Sequence, residues 1–166
     1  MRKMRGKEKE GQEKEEIGLC GQASIRHLPV ILGGFMADIK DLFQSADWKT
    51  EKHVPVIDAP ESIKKGEVAK VTVSVGKQIN HPNTTEHHIG WIEIYFLADS
   101  EKFPYEIARV EFSAHGSSTQ GPNTSTIFTQ AEATVSFKTD KSGAILAASY
   151  CNIHGLWKSE KQLVVG

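Results

Sequence analysis

The chain has 166 residues and a formal net charge of -1, and 39% of its side chains are hydrophobic. This length suffices for the hydrophobic core of one domain, and the near-zero charge is not typical of proteins that bind nucleic acid or membrane surfaces. No apolar run approaches the roughly 18 residues of a transmembrane helix. Two cysteines far apart, Cys20 and Cys151, do not form a disulfide scaffold. These properties favour a cytoplasmic protein with no nucleic-acid or membrane partner.

Residues 1–36 are predicted to form a disordered or poorly ordered extension. The first 16 residues carry six basic and five acidic side chains, and such a segment cannot bury enough apolar surface to offset the entropy of ordering. Residues 17–35 are more apolar but show no clean period. Two other interpretations stay open: a signal peptide, which the preceding glutamates disfavour, and a natural start at Met36.

The folded domain is predicted to span residues 37–166 and to open with a short helix. Ile39, Leu42, Phe43 and Ala46 recur at helical spacing, and Asp38 is available as the N-cap. After this segment the pattern changes to alternation of apolar and polar residues, which is typical of strands.

About seven strands are predicted, separated by turn residues such as Gly66, Gly76 and Gly143. The segments are HVPVID (53–58), VAKVTVSV (68–75), WIEIYFLA (91–98), IARVEFSA (107–114), ATVSFKT (133–139), AILAASY (144–150) and QLVV (162–165). Short strands with one apolar face and no βαβ rhythm indicate an all-β fold, an antiparallel β-sandwich.

Potential metal donors lie at the ends of these strands or in the adjoining loops. They are His53, His81, the neighbours His87 and His88, Cys151 and His154. Because a sandwich gathers its loops at two ends, donors remote in sequence can meet there. His87 and His88 are consecutive on an extended segment and point in opposite directions, so at most one of them faces such a site.

The pair of Cys151 and His154 allows several interpretations. A nucleophile with its base needs a substrate cleft and oxyanion donors, and neither a nucleophile elbow nor a protease signature is present. Structural zinc usually takes more thiolates. Blue copper adds an axial methionine shortly after the last histidine, but the methionines here are Met1, Met4 and Met36.

Three motifs together resemble the superoxide reductases of the one-iron neelaredoxin type, a module that also forms the C-terminal domain of desulfoferrodoxin. The motifs are EKHVP (51–55), HPNTTEHHIGW (81–91) and CNIHGLW (151–157). Their order and internal spacing match, with six residues from His81 to His87 and three from Cys151 to His154. The resemblance covers roughly residues 37–166 and implies an immunoglobulin-like sandwich that holds one mononuclear non-haem iron.

The resemblance also assigns roles to individual residues. It implies that His53, His81, His87 and His154 are the equatorial nitrogen ligands and that Cys151 is the axial sulfur. Glu51 matches the glutamate that occupies the sixth position of the oxidised iron. Lys52 matches the lysine beside the open position, where its charge attracts the superoxide anion. Backbone amides of residues 152–154 are candidates for hydrogen bonds to the Cys151 sulfur.

The implied reaction is the one-electron reduction of superoxide to hydrogen peroxide. The resemblance implies rubredoxin or a similar external electron donor, since Cys20 alone cannot form the family's four-cysteine domain, and it implies a homodimer or homotetramer. Two alternatives stay open from the residues: an iron protein of electron transfer or storage with the same donors, and a metal-free binding module.

Overall fold

The computed structural model describes residues 38–166, which form two β-sheets packed face to face. The predicted extension, residues 1–36, lies outside the described residues. The nine strands are β1 (Phe43–Gln44), β2 (Pro55–Asp58), β3 (Ser62–Ile63), β4 (Val68–Val75), β5 (Ile89–Ala98), β6 (Tyr105–Glu111), β7 (Glu132–Lys138), β8 (Gly143–Cys151) and β9 (Gly155–Val165). The seven predicted strands are therefore confirmed, and two strands of two residues join them.

The larger sheet has the order β1-β9-β8-β5-β6, with β3 also pairing with β9, and the smaller sheet has the order β2-β4-β7. All pairings are antiparallel except those of β1 and β3 with β9. This arrangement confirms the all-β, immunoglobulin-like sandwich. Among the described residues, no helix is long and apolar enough to cross a membrane.

The hydrophobic core lies between the sheets and follows from strand alternation. In β4, Ala69, Val71, Val73 and Val75 are buried, whereas the residues between them are exposed or half-buried. The opposing face of the larger sheet contributes side chains that are likewise fully buried, Ile92, Ile94, Ile145 and Leu163. Removing this apolar surface from water is the main stabilising term of the fold.

The predicted helix is reduced to one 3₁₀ turn at Ile39–Leu42. Asp38 caps this turn as expected, because its side chain accepts a hydrogen bond from the backbone N of Lys40 (3.1 Å). The turn ends where Phe43 begins to pair with Leu156 of β9. This pairing supplies hydrogen bonds that a longer helix would have to give up, so tertiary contacts override the helical spacing.

The strand registers bring five chain segments to one end of the sandwich. The start of β2 pairs with the end of β4 through Pro55 and Val75. The start of β5 pairs with the end of β8 through Ile89 and Cys151, and Cys151 also pairs with Gly155 at the start of β9. The loops that carry the predicted donors therefore leave the sheets at the same end.

Candidate metal centre

Five of the predicted donors meet at this end of the sandwich. Possible ligand atoms of His53, His81, His87 and Cys151 all lie within 4.8 Å of one another. Nδ1 of His154 lies 3.0 Å from Nε2 of His53 and 3.5 Å from Sγ of Cys151. The structure thus brings together the whole ligand set expected from the motifs.

The four imidazoles surround a common centre in the cyclic order His53, His81, His87, His154. Consecutive ring centroids are separated by 4.8, 4.7, 4.9 and 4.5 Å around this cycle. The rings of His53 and His87 are 6.1 Å apart, across the cycle. Four similar sides and a longer diagonal describe an approximately square arrangement of nitrogen donors.

Hydrogen bonds on the outer nitrogens leave lone pairs available at the centre. Nδ1 of His81 donates to the carbonyl O of Pro82 (2.6 Å), because a carbonyl can only accept. Nε2 of His81 and Nε2 of His87 are buried and have no hydrogen-bond partner. A buried polar atom without a partner is costly, and coordination of a metal would satisfy both atoms.

The protonation of the rings also suits metal binding. Burial lowers the pKa of His81 to about 4, and burial likewise lowers the pKa of His53 and of His87. These imidazoles are therefore neutral at pH 7, which is the form that coordinates metals.

Glu51 interacts with the outer side of His53. Its Oε1 lies 2.5 Å from Nδ1 of His53 and accepts from the backbone N of the same residue (3.2 Å). Burial acts to raise the pKa of Glu51, but the hydrogen bonds with His53 outweigh it and the pKa is lowered. An ionised carboxylate thus holds Nδ1 as the N–H and directs Nε2 towards the centre, which is a common outer partner of a metal-binding histidine.

Cys151 lies at the end of β8 as a free and fully buried thiol. Its Sγ accepts a hydrogen bond from the backbone N of His154 (3.4 Å). The backbone N of Asn152, another candidate donor, instead bonds to the carbonyl O of His88 (3.1 Å). A soft sulfur close to four imidazoles is a donor set that suits iron or another transition metal.

Lys52 is half-buried and lies between Glu51 and His53 in the chain. Burial is the largest cause of the lowered pKa of His53, His81 and His87. The positive charge of Lys52 lowers the same three pKa values by a smaller amount. A cation that acts on three of the donor rings also attracts an anion that approaches the same centre.

His88 faces away from the centre, as the alternation of an extended segment predicts. Its ring stacks on His115 with centroids 3.7 Å apart, and its Nδ1 donates to the carbonyl O of Thr84 (3.0 Å). The sequence motifs assign no role at the site to Thr84. Its Oγ1 nevertheless accepts a hydrogen bond from the backbone N of His87 (3.1 Å). Short polar residues between two donors are a signal of such turns, because they bond readily to nearby backbone.

Trp157 forms part of the wall of the site. It is 8% exposed, and its ring stacks on His53 with centroids 5.1 Å apart. Its indole N–H also donates to the carbonyl O of His154 (3.3 Å). Trp157 therefore packs against one donor and restrains the backbone of another.

A β-sandwich with four imidazoles and a buried thiol at one end defines a metalloprotein with a mononuclear histidine and cysteine site. The family model described as Desulfoferrodoxin matches residues 45–160. The chain belongs to the desulfoferrodoxin family.

Curated relatives and a solved structure agree with this assignment. The superoxide reductase of Pyrococcus furiosus is 56% identical over 125 residues, which are 75% of this chain and 98% of the relative. Neelaredoxin of Megalodesulfovibrio gigas is 49% identical over 125 residues, 75% of this chain and 96% of the relative. The structure of superoxide reductase (neelaredoxin) from Archaeoglobus fulgidus in the reduced form has a TM-score of 0.70 and 58% identity, and covers 74% of this chain and 98% of that chain.

Proposed function

We propose that the protein is a superoxide reductase that converts superoxide to hydrogen peroxide with one electron and two protons. The observation that carries this function is the convergence of four imidazoles and one buried thiol, with two ring nitrogens buried and unpartnered. The metal ligands are His53, His81, His87, His154 and Cys151, and they hold one mononuclear iron. Bound iron supplies the single electron that reduces superoxide, and it cycles between the ferrous and ferric states.

The side chain of Lys52 attracts the substrate. Its ammonium group is the positive charge that acts on three of the ligand rings. Electrostatic focusing of this kind raises association rates by about 10- to 1,000-fold. The ammonium group also orders a water molecule that delivers a proton to the product.

Glu51 has two roles in this function. Its carboxylate keeps Nδ1 of His53 protonated and so fixes the orientation of one ligand ring. The family resemblance implies a second role, in which the carboxylate would leave Nδ1 of His53 and occupy the open position of oxidised iron until re-reduction. Because this second role concerns the resting state, Glu51 is not needed for the fast encounter with superoxide.

The electron that restores the enzyme comes from a separate carrier such as rubredoxin. The sequence contains one cysteine besides Cys151, whereas a rubredoxin-like centre needs four thiolates. His154 is an exposed ligand, and its surface edge offers a short route for the electron. The chain works as a homo-oligomer, a dimer or a tetramer, as the family resemblance implies. It works in the reducing cytoplasm, where Cys151 stays reduced and available as a ligand.

The experiment that tests the function combines metal analysis, spectroscopy and rapid mixing. The purified protein is expected to contain about one iron per chain, because five donors converge once in the described residues. Mixing the reduced protein with superoxide is expected to oxidise the iron and yield hydrogen peroxide stoichiometrically. An iron protein that fails to do so has an electron-transfer or storage role instead.

A pair of cysteine variants tests the sulfur ligand. Cys151→Ser is expected to abolish the visible thiolate-to-iron absorption of the oxidised protein. The matched control is Cys20→Ser, which changes the other cysteine of the sequence and is expected to leave the spectrum intact. An unchanged spectrum in Cys151→Ser would refute the axial assignment.

A further inference from the structure

The pairing of β5 with β8 begins just after one proposed ligand, His87, and is irregular near its start. In the pairing of β5 with β8, Ile89 lies opposite Cys151 and Trp91 lies opposite Tyr150, so Gly90 is an extra residue in β5. Such a bulge disrupts the ladder locally and changes the direction of the strand. His87 lies two residues before Ile89, the first residue of β5, so the ladder does not itself hold His87 in place relative to Cys151.

Asn152, which follows the end of β8, connects that end to the segment that carries His87. Its side-chain Oδ1 accepts from the backbone N of His88 (2.8 Å), and its Nδ2 donates to the carbonyl O of Glu86 (2.7 Å). Its own backbone N donates to the carbonyl O of His88 (3.1 Å). Asn152 thus bonds to the residue before His87 and to the residue after it, while it is covalently joined to Cys151.

The geometry points to Asn152 as a positioning residue that holds the imidazole of His87 in register with the sulfur of Cys151. An amide has an acceptor and a donor on one rigid plane, so it fixes both neighbours of His87 at once. The turn that begins at Asn152 continues to His154, another proposed ligand. The inference rests on the ligand set proposed above, and Asn152 acts through those ligands without touching the metal or the substrate.

A matched control exists on the other side of the same loop. Oδ1 of Asn123 accepts from the backbone N of Thr85 (2.9 Å), and its Nδ2 donates to Oε2 of Glu86 (2.7 Å). Asn123 lies between β6 and β7 and is, like Asn152, exposed. Its φ of 57° also makes alanine strained there, so Asn123→Ala removes similar hydrogen bonds and adds backbone strain without affecting the link to Cys151.

The experiment compares iron-loaded Asn152→Ala, Asn152→Asp and Asn123→Ala with the parent protein. For each, the visible spectrum of the oxidised form, iron retention against a chelator and the thermal midpoint are measured. Asn152→Ala is expected to shift the thiolate-to-iron band and to bind iron about 10- to 100-fold more weakly, the usual effect of losing an outer partner. Asn152→Asp keeps the acceptor for the N–H of His88 and is expected to recover part of the iron affinity.

The control separates positioning from general stability. Asn123→Ala is expected to lower the thermal midpoint while the band and the iron affinity stay at the parent values. The inference is overturned if Asn152→Ala has the parent spectrum and affinity, or if Asn123→Ala changes both to the same extent. If the parent protein itself has no thiolate-to-iron band, the proposed ligand set fails and the inference fails with it. A normal parent band with an unresponsive Asn152→Ala instead rejects the inference alone.

Discussion

Replacement of Gly76 by alanine tests how closely the loop of His81 packs against the end of β4. Gly76 directly follows β4 and has a φ of +83°. A Cβ added there would lie 2.7 Å from the backbone N of His81 and 3.2 Å from its Cβ. Backbone N cannot rotate away as a flexible side chain does, so His81 would have to shift by several tenths of an ångström.

The magnitude follows from comparison with Gly66, which has nearly the same φ of +79° but nothing within 4 Å of the added Cβ. An alanine in the left-handed region costs about 1–2 kcal/mol, and this is the expected loss of unfolding free energy in Gly66→Ala. Gly76→Ala carries the same strain plus the displacement of His81. We expect a total loss of about 2–5 kcal/mol for Gly76→Ala, since steric overpacking adds roughly 1–3 kcal/mol.

The assay is urea unfolding of both iron-loaded variants, together with iron retention against a chelator. Gly76→Ala is expected to lose iron more readily than the parent, because His81 no longer presents Nε2 at the same place. Gly66→Ala is expected to retain iron normally. Equal losses of stability and equal iron affinities in the two variants would show that the close approach to His81 is unimportant.

Three further changes have defined expected outcomes. Lys52→Ala should slow the second-order reaction with superoxide by about 10-fold or more and flatten its dependence on ionic strength; an unchanged salt dependence in rapid mixing would argue against steering. Glu51→Ala removes the acceptor at Nδ1 of His53 and should weaken iron binding about 10-fold or more, with the second-order rate largely intact; a chelator titration beside rapid mixing decides this. Ile94→Ala, at a position that is fully buried, should lower the unfolding free energy by about 2–5 kcal/mol, whereas Ile127→Ala, 70% exposed, should change it by less than about 0.5 kcal/mol.

Strand alternation made most of the fold predictable. The buried and exposed residues of β4 alternate as its sequence indicates, because a strand presents successive side chains to opposite faces. The helical spacing of residues 39–46 was a weaker guide, since it contains no information about β9, the partner that Phe43 pairs with. The local sequence pattern therefore predicts an element well when the burial of that element's own side chains determines its conformation.

The identity of the donors was also available before the fold. Their order and spacing in three motifs indicated a family, and the alternation of an extended segment separated His87 from His88. Asn152 and Gly76 were not identified in this way. Their roles depend on contacts with residues 64 and 5 positions away, respectively, and neither residue type is unusual in a turn.

The sequence by itself determined which atoms could serve as ligands and that the strands would gather their loops at two ends. Only the tertiary structure decided that these atoms meet at one centre. Nε2 of His53 and Nδ1 of His154 come within 3.0 Å although they are 101 residues apart. Local hydrogen bonds then leave Nε2 free on His81, through the carbonyl O of Pro82, and direct Nε2 of His53 inwards, through the carboxylate of Glu51. The pairing register is non-local, so no local pattern contains it, and it brings four histidines and one cysteine together into a single site.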